Sequence, residues 1–562
     1  MKASKYLLFI FPILLLVNNM AYSQQWGDFT LYALQNSSSA FLLDTNGSTV
    51  KTWTFASTSK TGYSTYMLPG GSLVRAVAKT GNSFTGGPIC GEVQKVEWNG
   101  TVTWDFIYST ANYCSHHDIC PMPNGNVLLI AYERKTATQT SAAGCSQSIE
   151  MWPDKIVEVQ PTGATTGTVV WEWHAWDHLV QNYDPNKANY QVSISDHPEL
   201  LDINYNTQKD WMHMNGVDFN PILDQIAFSS HNLNEWYIID HSTSTAEAAT
   251  HSGGNSGKGG DLLFRWGHPL NYGTTGASIL NVTHDAHWIP EGVPNAGYLV
   301  GFNNKGVSNN QSSVDQIISP RVGYNYSKLA GVAYTPATYT LRHACSGFSS
   351  NMGNSQQLPN GNMLVCMATA GLIYETNPTG TTIWSKSLTG SCSQAFRYDT
   401  CYVNNLAPVI PVISQNGVLL ESTPNATYQW YFNGDLLVGE TAQTITPTQT
   451  GVYVVRTTNT TSCSYSYSVG FHFTITGVNQ EEDLYDGVGI FPNPSSGLIH
   501  IRGAEKLLSS YKIMMLDAIG KVIFAGNNIN LIDASQFVNG VYYVTIQMDG
   551  ETTVSKKVVL IK

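Results

Sequence analysis

Four places along the chain carry side chains able to do chemistry. They are His116-His117-Asp118 ahead of Pro123, Trp211-Met-His213-Met-Asn215-Gly, His231-Asn232 after Ser229-Ser230, and His284-Asp285-Ala-His287 ahead of Pro290. Clustered histidines suggest two kinds of chemistry. Several imidazoles can ligate a transition metal. One imidazole can instead attack a phosphoryl or sulfuryl centre, while the others donate hydrogen bonds to its oxygens. The spacing argues against a metal. No H-x-H or H-E-x-x-H motif is present. Residues three apart on a strand face opposite sides, so His284 and His287 cannot both ligate from a regular strand. No metal and no cofactor are therefore expected. A third reading is structural: a histidine at a strand start is commonly a hydrogen-bonded turn residue, and Asp commonly caps a turn.

What must position these residues is a repeat. One phrase couples an apolar residue, Pro and a Gly/Asn turn to a β-rich run: Leu68-Pro-Gly-Gly, Met122-Pro-Asn-Gly-Asn, Ile289-Pro-Glu-Gly and Leu358-Pro-Asn-Gly-Asn. A second phrase follows it, as in Val93-Gln-Lys-Val-Glu-Trp-Asn-Gly-Thr-Val-Thr-Trp and Leu372-Ile-Tyr-Glu-Thr-Asn-Pro-Thr-Gly. Asn-Gly between apolar residues is a strong hairpin signal. Two hairpins make one four-stranded blade. Units near 28–55, 63–106, 117–176, 213–268, 284–330 and 354–386 predict a six-bladed β-propeller. The first unit lacks an inner hairpin, and a strand from Gln394 to Val403 is expected to close the ring there. In a propeller the residues before each inner strand converge on the axis. The copies before Leu68 and Leu358 lack His-Asp, so building a blade does not require it.

The rest of the chain sets the context. Formal net charge is 28 − 40 = −12, which disfavours nucleic acid as a partner. Lys2 and Lys5, the apolar run Tyr6 to Val17 and Ala21-Tyr22-Ser23 read as a signal peptide over 1–23. No later stretch is apolar enough to span a bilayer, so no integral membrane segment is expected in the mature chain. Nine cysteines in an exported protein permit disulfides, and Cys114–Cys120 and Cys392–Cys401 are candidate pairs. Gly253 to Gly260 is Gly-rich but lacks phosphate-loop spacing. After the propeller (26–405), Tyr428-Gln-Trp-Tyr-Phe-Asn-Gly and Gly451-Val-Tyr-Val-Val-Arg predict an immunoglobulin-like or PKD-like β-sandwich over 409–475. Gln480-Glu-Glu-Asp-Leu-Tyr-Asp reads as a linker. The fold class is all-β, closing with a small C-terminal sandwich over 483–562.

Two resemblances sharpen this. Ile490-Phe-Pro-Asn-Pro-Ser-Ser-Gly, Leu516-Asp-Ala-Ile-Gly-Lys-Val and the terminal Ser555-Lys-Lys-Val-Val-Leu-Ile-Lys closely resemble the type IX secretion system sorting domain. That resemblance implies the type IX secretion machinery as a partner and a secreted or cell-surface location. The ordered set H-H-D-I…P-N-G-N, D-W-M-H-M-N-G-V…S-S-H-N-L-N and T-H-D-A-H-W-I-P is similar to the bacterial arylsulfate sulfotransferase family. Its members are six-bladed propellers that move a sulfuryl group from a phenolic sulfate ester to a phenolic acceptor through a sulfohistidine. The resemblance implies His284 as nucleophile, with His117, His213 and Asn215 on the sulfuryl oxygens. Where the family has arginine after Ser-Ser, this chain has His231. Arginine is always charged and forks onto two oxygens, whereas histidine is mostly neutral at pH 7. Arg342 and Lys305 are the other cations to consider, and Trp211, Trp236, Trp288, Phe302 and Tyr132 are candidates to stack on a phenol or pack between blades. The alternative reading is a catalytically degenerate propeller acting as an extracellular binding or adhesion module.

Overall fold

The computed structural model describes residues 25–461, 463–475, 489–502, 511–548 and 553–562. The expected signal peptide and acidic linker lie outside them. The chain is all-β, and six antiparallel four-stranded sheets account for its larger part. Each of the Asn-Gly and Gly-Gly phrases forms the tight turn it predicts. Gly125 N–H donates to Met122 O and Gly361 N–H to Leu358 O, each turn placing glycine at φ near +90°, a conformation that residues with a Cβ rarely adopt. These turns join the innermost strand of a sheet to the second.

The innermost strands are Lys60–Met67, Tyr113–Pro121, Met214–Asn220, Thr283–Trp288 and Asn354–Gln357. The sixth is Ala395–Tyr398, which pairs antiparallel with Phe29–Ala33 and completes the N-terminal sheet from the other end of the repeat. Residues Thr400–Asn404, expected to continue that strand, turn into a short helix capped by the Asp399 side chain. Every sheet contacts the next, the first through Phe29–Ala33 and the others through their innermost strands, and the last contacts the first, so the sheets form a ring. Apolar residues on alternate positions fill the space between blades; Trp173, Trp211, Trp236 and Phe228 are fully buried there.

The strand facing the axis is bent in most blades. Register breaks occur between Thr61 and Thr65, Ser115 and Ile119, Met214 and Gly216, and His284 and His287. His117 (φ +50°), His213 (φ +53°) and Asp285 (φ +60°) adopt left-handed backbone at or beside these breaks, and Met352 (φ +54°) does so just ahead of Asn354–Gln357. Such conformations cost non-glycine residues of order 1 kcal/mol or more and concentrate at functional sites. Each β-bulge re-aims side chains that a regular strand would send elsewhere.

Beyond the ring, two small sheets enclose Leu420, Trp430, Ile445, Val455 and Phe473. This sandwich rests on the fourth and fifth blades through Tyr431 and Val454 against Ile222, and Arg321 pairs with Asp435. A disulfide joins Cys401 to Cys463 across this boundary. That corrects both expected pairings. Cys114 and Cys120 lie on one strand, six positions and therefore about 20 Å apart along it, too far to bridge. Cys392 is buried and donates to Gln394 O. The C-terminal unit is separate, with sheets packed around Ile499, Ile513, Met515, Ile532, Val544 and Val558. Among the described residues, no helix is long and apolar enough to cross a membrane.

Candidate active site

His117, His213, His231 and His284 line one cavity of about 480 Å³ at the end of the axis where the innermost strands begin. The blades that lack histidine contribute Gln35, Asn36, Gly62 and Met352, with Ala78, Pro88 and Ile89 adding apolar wall. His117 and His213 lie with ring centroids 4.5 Å apart, His213 and His231 5.0 Å, and His231 and His284 5.6 Å.

All four rings are held the same way round. His284 Nδ1 lies 2.7 Å from Asn304 Oδ1, and the Asn304 amide nitrogen donates to Ser349 O and Met352 O. Those two carbonyls fix the amide orientation, so its oxygen must accept from His284 Nδ1–H. His231 Nδ1 meets Asn232 Oδ1 at 2.7 Å, and Asn232 Nδ2 donates to Asp210 O. His213 Nδ1 meets Asp210 Oδ2 at 2.6 Å. His117 Nδ1 meets His116 Nδ1 at 2.7 Å, while His116 Nε2 faces Asp154 Oδ1 at 2.8 Å. Asp154 thus accepts from His116 Nε2–H, which leaves His116 Nδ1 to accept from His117. Every Nδ1 is committed, and each ring turns Nε2 toward the cavity. Partners on the far ring nitrogen set tautomer and orientation.

The electrostatics favour neutral rings at His117, His231 and His284. Burial holds the His284 imidazole well below the ordinary histidine range, and His231 and His213 lower it further against the hydrogen bond to Asn304. Burial likewise depresses His117, helped by His213 and His116. His231 is also depressed, by burial first and by His213, with Lys305 contributing. Asp210 differs. Burial alone would raise its carboxyl, but hydrogen bonds from His213 and Tyr132 and the His213 charge outweigh it and hold the carboxyl below its usual value. His213 is therefore the ring with a carboxylate ready to balance a proton.

Asn215 does not line this cavity. Its Nδ2 donates to Thr283 O and its Oδ1 accepts from Ser229 Oγ, so it ties the fourth blade to the residue preceding His284. Asp285 does not orient His284. It accepts from Ser355 N–H and Gln394 Nε2 and pairs with His287, whose pKa rises to about 9 because the charge and hydrogen bonds of Asp285 overcome burial. His287 lines a second cavity of about 680 Å³ at the other end of the axis, closed on one side by Tyr465 and Tyr467. Arg342 is bound to Asp315 at 2.6 Å. Trp211, Trp236 and Phe302 are core residues, and Trp288 lines the second cavity. Tyr132 stacks on His116 at 3.6 Å and hydrogen-bonds Asp210.

Asp154, Asn304 and Met352 had no local signature. Asp154 and Asn304 stand on outer strands of the same blades as His116 and His284, 38 and 20 residues along the chain, and Met352 stands just ahead of the next innermost strand, so only strand pairing and packing bring them in.

Among solved structures, 66% of this chain aligns with 98% of a Bacteroides caccae protein of unknown function, at 10% identity and a TM-score of 0.37. The periplasmic gluconolactonase of Pseudomonas aeruginosa gives the same coverages at 12% identity and 0.36. A putative 6-phosphogluconolactonase from Bacteroides fragilis gives 10% identity and 0.32. No curated protein matches. Residues 489–562 match the secretion system C-terminal sorting domain, which marks the protein as exported and either secreted or attached to the cell surface. Residues 14–402, more than half of the sequence and the whole of the histidine cavity, match the Arylsulfotransferase (ASST) family, and the chain belongs to it.

Proposed function

We propose that this secreted arylsulfotransferase-family protein transfers a sulfuryl group from a phenolic sulfate ester to a phenolic acceptor, with His284 as nucleophile. The observation that carries this reading is that four histidines on neighbouring blades present Nε2 to one cavity, and His284 is neutral there. A neutral imidazole keeps its Nε2 lone pair for attack on sulfur. The new N–S bond forms as the S–O bond to the aryl group breaks, and the phenolate leaves with that electron pair. A proton reaches it from His213, whose imidazolium Asp210 supports. The acceptor phenol then attacks sulfur as its O–H proton passes to His213, the N–S bond breaks, and His284 recovers its lone pair. His117, His213 and His231 surround the sulfuryl oxygens and donate to them from Nε2 once protonated. Asn215 is a positioning residue on Thr283. Pro88, Ile89 and Met352 supply the apolar surface for the aromatic ring. In this assignment residues 26–405 are the catalytic propeller, 409–475 an immunoglobulin-like sandwich and 483–562 the sorting domain.

The test is turnover of p-nitrophenyl sulfate with phenol, followed by nitrophenolate release and aryl sulfate formed. His284→Gln removes the nucleophile and is expected to cut turnover at least about 10³-fold, in line with loss of a covalent catalyst. Equal rates in the variant would overturn the assignment. One observation favours a second reading, a propeller that only binds. Met352 N–H donates to His284 Nε2 at 3.1 Å, on the lone pair that must attack. If the wild-type protein binds aryl sulfates without releasing phenol, that amide is a permanent cap.

A further inference from the structure

Away from the axis, at the rim between the third and fourth blades, three side chains meet that sulfuryl transfer does not use. His178 follows the outermost strand of the third blade, Gly167–His174. His251 and Asp261 flank the Gly-rich loop 253–260 that leads to the last strand of the fourth blade, Phe264–Trp266. His178 Nδ1 lies 2.9 Å from Asp261 Oδ1, and His251 Nδ1 lies 2.7 Å from the same oxygen. His178 and Asp261 are buried, while His251 is 64% exposed at its side chain.

The hydrogen bonding at His178 calls for a cation. Its Nε2 is 2.8 Å from Ala248 O, and a carbonyl oxygen only accepts, so Nε2 carries the hydrogen. Nδ1 of the neutral ring is then a lone pair facing a carboxylate oxygen, which also only accepts. Two acceptors at 2.9 Å need a proton or a metal ion between them. A second imidazole nitrogen converges on that same oxygen, so two ring nitrogens and one carboxylate oxygen close on one another as a metal-ligand set does. Metal-bound histidines characteristically donate their other ring N–H to a carbonyl or carboxylate, as His178 does to Ala248. All three donor atoms lie within 4.8 Å of one another. Donors on a tetrahedral zinc sit about 3.3 Å apart, so seating the ion needs an opening of a few tenths of an ångström. The exposed His251 can supply that.

We propose that His178, His251 and Asp261 bind one first-row divalent metal ion, best matched by zinc. Two imidazoles and one carboxylate suit zinc over calcium or magnesium, which take oxygen donors. The fourth position opens to solvent on the His251 side. The ion clips the Gly-rich loop to the end of the third blade. Trp173 braces the same place, stacking on His178 and donating to Gly260 O. This departs from the expectation of a metal-free protein, and the site shares no residue with the histidine cavity.

The experiment uses the full mature chain without an affinity tag. It is loaded with zinc, desalted and analysed for metal, then loaded with cobalt and examined by visible absorption. The expected result is about one zinc per chain, a cobalt band of tetrahedral intensity and a higher melting temperature on zinc addition. His251→Ala, at an exposed position that leaves the core intact, should lose the zinc and the cobalt band while retaining sulfuryl transfer. Asp261→Asn should do the same if it folds. A wild-type protein that retains no zinc, or a His251→Ala variant that retains as much as wild type, overturns the proposal. The first outcome means that protons alone occupy the group.

Discussion

At the scale of single residues, the cavity is built by fixing one nitrogen of each ring. Asn304, Asn232, Asp210 and His116 each hold an Nδ1, so four Nε2 atoms face inward and no arginine or lysine lines the cavity with them. That is a weak anion site, because neutral imidazoles with inward lone pairs must take up protons before they can donate. His231 stands where the family resemblance predicts arginine. His231→Arg is therefore expected to raise kcat/KM for p-nitrophenyl sulfate about tenfold, the worth of one charge-assisted hydrogen bond of about 1.5 kcal/mol. Steady-state kinetics at matched ionic strength checks this. A drop would mean that the ring's shape, not its charge, is what position 231 supplies. His117 and His284 were legible as site candidates because each stands in a short, unusual motif. The role implied for Asn215 was not readable from its motif, because a left-handed residue at His213 turns the next side chains away from the cavity.

At the scale of elements, neighbouring blades are latched by polar groups as well as by apolar packing. His241 Nδ1 donates to Asp224 and Nε2 to Glu158, which belongs to the third blade. Burial alone would lower this histidine, but the two carboxylates raise it to about 9. A folded pKa above the unfolded value of about 6.5 means the contribution is complete below pH 6.5 and is lost as pH rises through 9. His174 and His287 are raised to about the same value, so they add to the same trend. His241→Gln is expected to destabilise the protein by about 1–3 kcal/mol at pH 6 and by much less at pH 10. Denaturant unfolding at both pH values measures it, and an equal loss at both would mean that His241 contributes by packing alone. The hairpins themselves were readable from Asn-Gly and Pro-Asn-Gly turns. The bulges in the innermost strands were not. A strand reading by alternation correctly separates His284 from His287, but it does not anticipate that Asp285 absorbs the turn and that His287 serves the opposite end of the axis.

At the scale of the whole molecule, the propeller is closed by Ala395–Tyr398 pairing with Phe29–Ala33, and the sandwich is fastened to it by Cys401–Cys463. The sorting domain is a unit of its own, with its own core. Removing residues 489–562 is therefore expected to leave the propeller folded and active while the chain stays inside the cell envelope, as cell fractionation with the transfer assay would show. Activity released to the medium by the truncated chain would contradict this.

By itself the sequence determined the repeat, its turns and the histidines at the heads of three blades, because turn chemistry and β-periodicity are local properties that neighbouring residues impose on one another. It also carried the two family resemblances. Only the tertiary structure decided which ring nitrogen each histidine presents, that Cys401 pairs with Cys463, and that His178, His251 and Asp261 meet. His213 and His231 are held by neighbours one to three residues away, but Asn304, Asp154, Cys463 and Asp261 reach their partners across 20, 38, 62 and 83 residues. Strand pairing and packing between blades bring those groups together, and no local periodicity encodes that distance.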